Sequence, residues 1–389
     1  QDVDGSEAVN NNMPQPAVQN EQIPSSELSA SRTSASETSV TASDVSDTVT
    51  RPLYTVKFQL KEGEFMHDAR EDDPDLKHFA KKMSDSSVPR MFYEYSDIIS
   101  NDQSRDSSSF RNNLNCNRYI DIPCFEELRV QLKAFGENDY IHANYLDGFR
   151  KLKKYINAQT PVPSMVEKFW EMIWQEKAVV VISMHSLDNP HFPITSGEEK
   201  TYGAITLVHQ GTRNVRQAYD ATVLNMKKGT ESRRILHFEY FDWPQRSTPR
   251  RPSEVLHLLA DVRHNFQLMR LCAENAGWLA PQENSPLVVV CQTGVGRSSS
   301  FIALDIVCEK MDATLGAGRC LINVADTVKR MRWQRAFAVQ KPEQFVFLLL
   351  AALEYAIRRR YMEADVVSKI HLSNFYLFFE DKQDGNASA

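Results

Sequence analysis

The sequence has no apolar run longer than nine residues, at 345–353, and crossing a bilayer takes roughly 20. No membrane-spanning helix is expected. Its six cysteines, at 116, 124, 272, 291, 308 and 320, include no C-x-x-C pair and no Cys/His spacing of the zinc-binding kind, so neither a metal nor a disulfide framework is expected. Reduced thiols in a cytoplasmic setting are the corresponding expectation. The start lacks the apolar stretch of a secretory signal, and the first residue is Gln, so the chain reads as a processed form or a fragment. Glycine is sparse, at 14 of 389 residues, and apolar residues make up 42%, which excludes collagen-like and wholly disordered chains.

Excess basic charge is also missing. The formal net charge is −6, and residues 1–50 carry four Asp and four Glu against Arg32 alone, a net of −7. By subtraction, −6 minus −7, residues 51–389 sum to +1. A near-neutral body argues against nucleic acid as a partner, because counterion release needs a concentrated basic surface. Arg250-Arg251 and Arg358-Arg359-Arg360 therefore read as solvated faces or short anion contacts.

What is present divides the chain unevenly. Residues 1–50 hold fifteen Ser/Thr and no aromatic residue, too little apolar surface to offset the entropy of ordering, so a disordered tail is expected there. An N-terminal extension over 51–87 follows, with a helix-start cluster at Glu71-Asp72-Asp73-Pro74-Asp75. One domain is expected over 88–362, with a C-terminal tail over 363–389. Within it Met91–Ile99 has the pattern of an amphipathic helix. The β-branched runs Val179–Met184 and Leu287–Cys291 suit strands buried on both faces, and Ile235–Tyr240 alternates as a strand. Helical periodicity covers Glu167–Glu176, Pro252–Cys272, Ser298–Met311 and Lys341–Tyr361. The fold class expected is α/β, a twisted mixed sheet with helices on both sides.

The most informative stretch is Leu287-Val288-Val289-Val290-Cys291-Gln292-Thr293-Gly294-Val295-Gly296-Arg297-Ser298. A buried strand runs into Cys291, then a loop with two glycines, then Arg297 and an apolar helix. Glycines let backbone N–H groups curl around an anion, and the helix directs its positive end at the same point. Arg297 adds a planar bidentate contact to phosphate oxygens, and the same field lowers the pKa of Cys291. Cys291 alone reads as an ordinary buried cysteine, and the glycines alone as a tight turn. The combination reads as a phosphate cradle with a thiolate nucleophile beneath it.

On these residues the sequence resembles the protein tyrosine phosphatase family, and other segments match in family order. They are Asn117-Arg118-Tyr119-Ile120-Asp121, Asn138–Tyr145, Tyr155–Pro161, Phe169–Trp174, Trp243-Pro244-Gln245 and Gln334-Arg335-Ala336-Phe337-Ala338-Val339-Gln340. The resemblance implies that a phosphotyrosine-containing protein or peptide is the partner. It implies that Tyr119 stacks on the substrate ring and Asp121 holds the peptide backbone. It makes Gln292, Thr293, Gly294, Val295, Gly296 and Arg297 the phosphate loop. Cys291 would be the nucleophile, Ser298 the support of the leaving thiolate, and Gln340 the group that positions the hydrolytic water. No cofactor is implied. No motif specifies an oligomeric state.

Several positions depart from the family pattern. The acid loop normally ends in Asp, and here the position is Gln245, which has no titratable proton for the tyrosine oxygen. General acid catalysis is worth about 10²–10⁴ in rate. Asp242 stands three residues earlier. Val290 replaces the usual His before the nucleophile and is expected to leave the thiol less acidic. Gln292 and Thr293 replace Ser and Ala, Ser299 replaces Gly, and Phe337 replaces Gly at the pocket rim. The segment Leu187–Pro193 lacks the usual Lys. Three readings follow: a phosphotyrosine-recognising pseudophosphatase with absent or weak hydrolysis, a working phosphatase whose acid is Asp242 or water, and a scaffold that binds partners without the pocket.

Overall fold

The computed structural model describes residues 60, 64–100, 105–185, 191–244, 247–370, 375, 378 and 379. In chain order the elements are α1 (Leu76–Asp85), α2 (Val88–Ile99), α3 (Ser108–Asn112), β1 (Arg129–Gln131), β2 (Tyr140–Gly148), β3 (Lys151–Gln159) and α4 (Val166–Gln175). Then come β4 (Val180–Ser183), β5 (Glu199–Tyr202), β6 (Ile205–Val215), β7 (Tyr219–Lys228), β8 (Glu231–Tyr240) and α5 (Ser253–Asn275). The chain continues through β9 (Leu287–Cys291), α6 (Arg297–Leu315), α7 (Val324–Gln334), α8 (Pro342–Arg358) and α9 (Ala364–Ser368).

The strands form one mixed sheet in the order β1-β2-β3-β9-β4-β8-β7-β6-β5. Its centre is parallel, with β9 between β3 and β4 and with β4 against β8. The outer pairs are antiparallel. Every residue of β4 and β9 is buried, because helices cover both faces and leave these short β-branched runs no solvent side. The alternation of side chains then sorts neighbours into two cores. Leu287, Val289 and Cys291 face the large core built with α2, α5, α6 and α8. Val288 and Val290 face the core built around Phe169, Trp170 and Ile173 of α4. The α/β class with helices on both faces is as expected, and the strand at Leu287–Cys291 coincides with β9.

The packed body is wider than 88–362. Asp75 caps α1 by accepting from the His78 N–H at 2.9 Å, as the acidic cluster suggests, but α1 is no loose extension. Leu76, Phe79 and Met83 lie in the large core, since their i, i+3, i+7 spacing puts them on one helix face. At the other end Phe375 and Phe379 are buried, and the Phe379 ring meets Phe347 edge-on with centroids 6.1 Å apart. The expectation for residues 1–50 lies outside the described residues. Sequence periodicity did not single out α7, or the ribbon β6–β7, whose pairing is mostly with its own neighbours.

Candidate active site

The end of β9 turns into α6 through residues 292–296, and this turn works only with glycine at 294. Gly294 has φ +66°, and a Cβ there would stand 2.6 Å from the backbone nitrogen of Gln159. Strain and collision both exclude a side chain. Gln159 is the last residue of β3, so strand pairing brings the turn against the neighbouring strand. The Gln159 side chain reaches the other way. Its Oε1 accepts from the Arg118 N–H at 2.9 Å and its Nε2 donates to the Cys116 carbonyl at 2.9 Å. One glutamine thus carries the Tyr119 segment to the phosphate loop.

Cys291 is 1% exposed. Its Sγ lies 3.1 Å from the Ser298 hydroxyl, receives the Gly294 N–H at 3.2 Å, and lies 3.8 Å from the Thr293 hydroxyl. Burial alone would push the thiol up. The Arg297 guanidinium, Ser298 through hydroxyl and N–H, and the Thr293 hydroxyl instead hold it below its ordinary value. The loss of acidity expected from Val290 is therefore offset by groups on the loop itself.

Arg297 opens α6 and is half-buried. Its Nη1 donates to the Trp243 carbonyl at 3.3 Å, and the Tyr119 hydroxyl is close enough to act on its charge. Gln340 comes to the same place from the α7–α8 turn, its Oε1 3.5 Å from where a Cβ on Gly296 would stand. Cys291, Thr293, Gly294, Val295, Gly296, Arg297, Ser298, Gln340 and Tyr119 are thus brought together. Gln292 is half-buried on the loop, and Asp121 is exposed two residues beyond Tyr119.

The acid loop is described up to Pro244, and Gln245 lies outside the described residues, as does Leu187. Trp243 is buried, donates from Nε1 to the Ser247 carbonyl at 2.9 Å, and packs on Phe347. Asp242 is exposed and lines a cleft with Pro244, Pro249, Arg250, Arg251, Ser253 and Glu254, none of them on the phosphate loop. Partial burial, and then Glu254, push its carboxyl above the ordinary value. Phe337, the residue expected at the rim, has φ +58° and is 37% exposed. A bulky residue there carries a left-handed strain of about 1–2 kcal/mol.

Supporting residues went unread in the sequence. Arg335 is fully buried; its Nε donates to the Gly294 carbonyl at 3.1 Å, Nη1 to Asn144 Oδ1 at 2.7 Å, and Nη2 lies 3.2 Å from His142 Nδ1. Asn157 donates to the Ser299 hydroxyl at 2.7 Å, so the residue in place of the family's glycine gains a partner on β3. The signal for Arg335 was its place in the Gln334–Gln340 segment, in which roles attached to Phe337 and Gln340 and none to Arg335. Among the described residues no group of His, Cys, Asp and Glu is arranged to hold a metal ion, and no helix is long and apolar enough to cross a membrane.

A family profile described as protein-tyrosine phosphatase matches residues 113–354, the span that contains every element of this site. The chain is 33% identical over 258 residues to mouse tyrosine-protein phosphatase non-receptor type 9, covering 63% of this chain and 42% of that protein. It is 31% identical over 252 residues to mouse receptor-type tyrosine-protein phosphatase F, covering 62% of this chain and 12% of that one. To the zebrafish (Danio rerio) receptor-type phosphatase F it is 30% identical over 299 residues, 72% of this chain and 14% of the relative. The match thus spans less than half the length of these relatives. With the profile covering more than half of the chain and ending within α8, the chain belongs to the protein-tyrosine phosphatase family.

Proposed function

We propose that this domain recognises phosphotyrosine-containing proteins and hydrolyses them weakly or not at all. The observation that carries the reading is the phosphate cradle of residues 291–297 in a sequence whose acid position is Gln245. The thiol of Cys291 is held below its ordinary value, Arg297 stands beside it, and two hydroxyls and an N–H converge on the sulfur. Binding needs these groups. Turnover also needs a proton for the phenolate, whose conjugate acid has a pKa near 10.

In this reading Arg297 and the N–H groups of residues 292–297 hold the phosphoryl oxygens. Tyr119 covers the phenyl ring and Asp121 holds the peptide backbone. Where hydrolysis occurs, the Cys291 thiolate attacks phosphorus, Ser298 stabilises the thiolate when it leaves, and Gln340 orients the water. Six free cysteines among the described residues support a reducing, cytoplasmic setting.

A second reading is favoured by one observation. Asp242 has a raised carboxyl pKa, as a general acid requires, and its neighbour Trp243 touches Arg297. Against it, the carboxyl lies in a cleft whose lining residues are off the loop. The discriminating experiment pairs two measurements on the full chain: equilibrium binding of a phosphotyrosine peptide and its unphosphorylated twin, and release of phosphate from the former. Phosphate-dependent binding with turnover far below about 1 s⁻¹ supports recognition. Ordinary turnover that Asp242→Asn abolishes supports the second reading, and equal binding of both peptides overturns the first.

A further inference from the structure

The hydroxyl of Thr293 already engages two groups of the phosphate loop. Its Oγ1 accepts the N–H of Val295 at 3.4 Å and lies 3.8 Å from the sulfur of Cys291. Val295 lies on the phosphate loop, between the two glycines. An N–H there has two possible acceptors, a phosphoryl oxygen or the threonine hydroxyl, and one hydrogen to give. The hydroxyl has one hydrogen of its own. With the sulfur ionised, that hydrogen points to the sulfur, and the oxygen lone pairs remain for Val295. The two contacts are therefore compatible in one orientation, and together they satisfy part of the cradle from within the chain.

We propose that Thr293 is an internal competitor for the phosphate cradle, a positioning residue whose hydroxyl holds the Val295 N–H and the Cys291 thiolate until an incoming phosphoryl oxygen displaces it from Val295. The inference rests on the reading that the cradle binds phosphotyrosine, and it adds a specific cause for the strength of that binding. Two consequences follow from one group. Displacement sets part of the binding free energy against the ligand, so affinity for oxyanions is lower than the same loop would have without the hydroxyl. The same hydroxyl adds a donor to the sulfur beside Arg297 and Ser298, so part of the thiol's acidity is kept at the cost of affinity.

Removing the hydroxyl moves the two properties in opposite senses, whereas simple damage to the loop weakens both. Thr293→Val keeps the shape and deletes the hydroxyl; Thr293→Ser restores it. Tungstate, an oxyanion that occupies the cradle without a tyrosyl group, is titrated into the 389-residue chain by calorimetry, and Cys291 alkylation by iodoacetamide is followed against pH. Thr293→Val is expected to tighten tungstate binding by up to about tenfold, the worth of one neutral hydrogen bond, and to shift the alkylation midpoint upward. Thr293→Ser is expected to match the wild type in both. Unchanged or weaker tungstate binding by Thr293→Val, with the wild type binding normally, overturns the inference alone. A wild type that binds no tungstate overturns the recognition reading, and the competitor role then stands only if Thr293→Val gains binding.

Discussion

Arg335 and Gly294 lie 41 positions apart, yet the Arg335 Nε donates to the Gly294 carbonyl at 3.1 Å and so ties the end of α7 to the inner turn of the phosphate loop. The same guanidinium bonds Asn144 and reaches His142 on β2. A charge buried this fully is retained only where its donors all find acceptors. The turn is therefore braced through the end of α7 and β2 before any ligand enters.

Arg335→Met is expected to cost about 2–4 kcal/mol of stability, since the Gly294 carbonyl, Asn144 and His142 lose a buried partner. Urea unfolding measures it. Tungstate affinity should fall in parallel, because the turn loses its brace. An unchanged midpoint and affinity would show that the tie is dispensable.

Arg297→Met should abolish phosphopeptide binding and leave the fold intact. The side chain is half-buried and donates to the Trp243 carbonyl, so it holds the acid loop and the ligand more than the core. Each charged hydrogen bond to phosphate is worth about 1.5–3 kcal/mol. The check is peptide binding beside a thermal melt; retained binding contradicts the assignment of Arg297.

Gln245→Asp restores a carboxyl at the acid position. With Cys291, Arg297 and Gln340 in place, hydrolysis of aryl phosphates should rise, most for leaving groups of high pKa and least for an activated nitrophenolate. The gain should fall short of about 10²–10⁴ because Leu187 stands where a supporting Lys is usual. No gain at all would place the defect in the nucleophile or at the Phe337 rim.

Acid should unfold the protein through its buried histidines. Burial holds His67 and His237 at about 3 against 6.5 for an ordinary imidazole. Between those values the unfolded chain binds protons that the folded chain refuses. Stability is therefore full above about pH 6.5 and falls as the pH drops toward 3, by about 2 kcal/mol for each histidine between pH 7 and 5. Urea midpoints across that range test it, and His237→Asn should give a shallower slope. A flat profile would mean that neither ring is buried in its neutral form.

A core substitution tests the wider domain boundary. Phe79 of α1 is 4% exposed in the large core, and Phe79→Ala should destabilise by about 3–5 kcal/mol. Loss of less than about 1 kcal/mol in urea unfolding would return α1 to the status of an extension.

Local patterning alone specified the central strands and the helices around them, because an unbroken run such as Leu287–Cys291 has one stable environment, a strand covered on both faces. The Cys291–Arg297 loop was equally readable, since its chemistry is contiguous in the chain. Periodicity over a short window could not read α1 as core, since its apolar stripe is interrupted by charge and gains meaning only against the core that receives it. Nor could it find what braces the cradle. Gln159, Asn157 and Arg335 meet the loop across strand pairings and a helix end, and a single sequence carries no signal for a contact made between distant segments. The acidity of Cys291 shows the same division. The missing His at 290 is written in the sequence and points to a weak nucleophile. The Arg297 guanidinium, the Ser298 hydroxyl and N–H, and the Thr293 hydroxyl come to the sulfur only once β9 and α6 are packed, and they decide the sign, because a nearby positive charge and hydrogen bonds to a thiolate outweigh its desolvation only when they converge on the same buried atom.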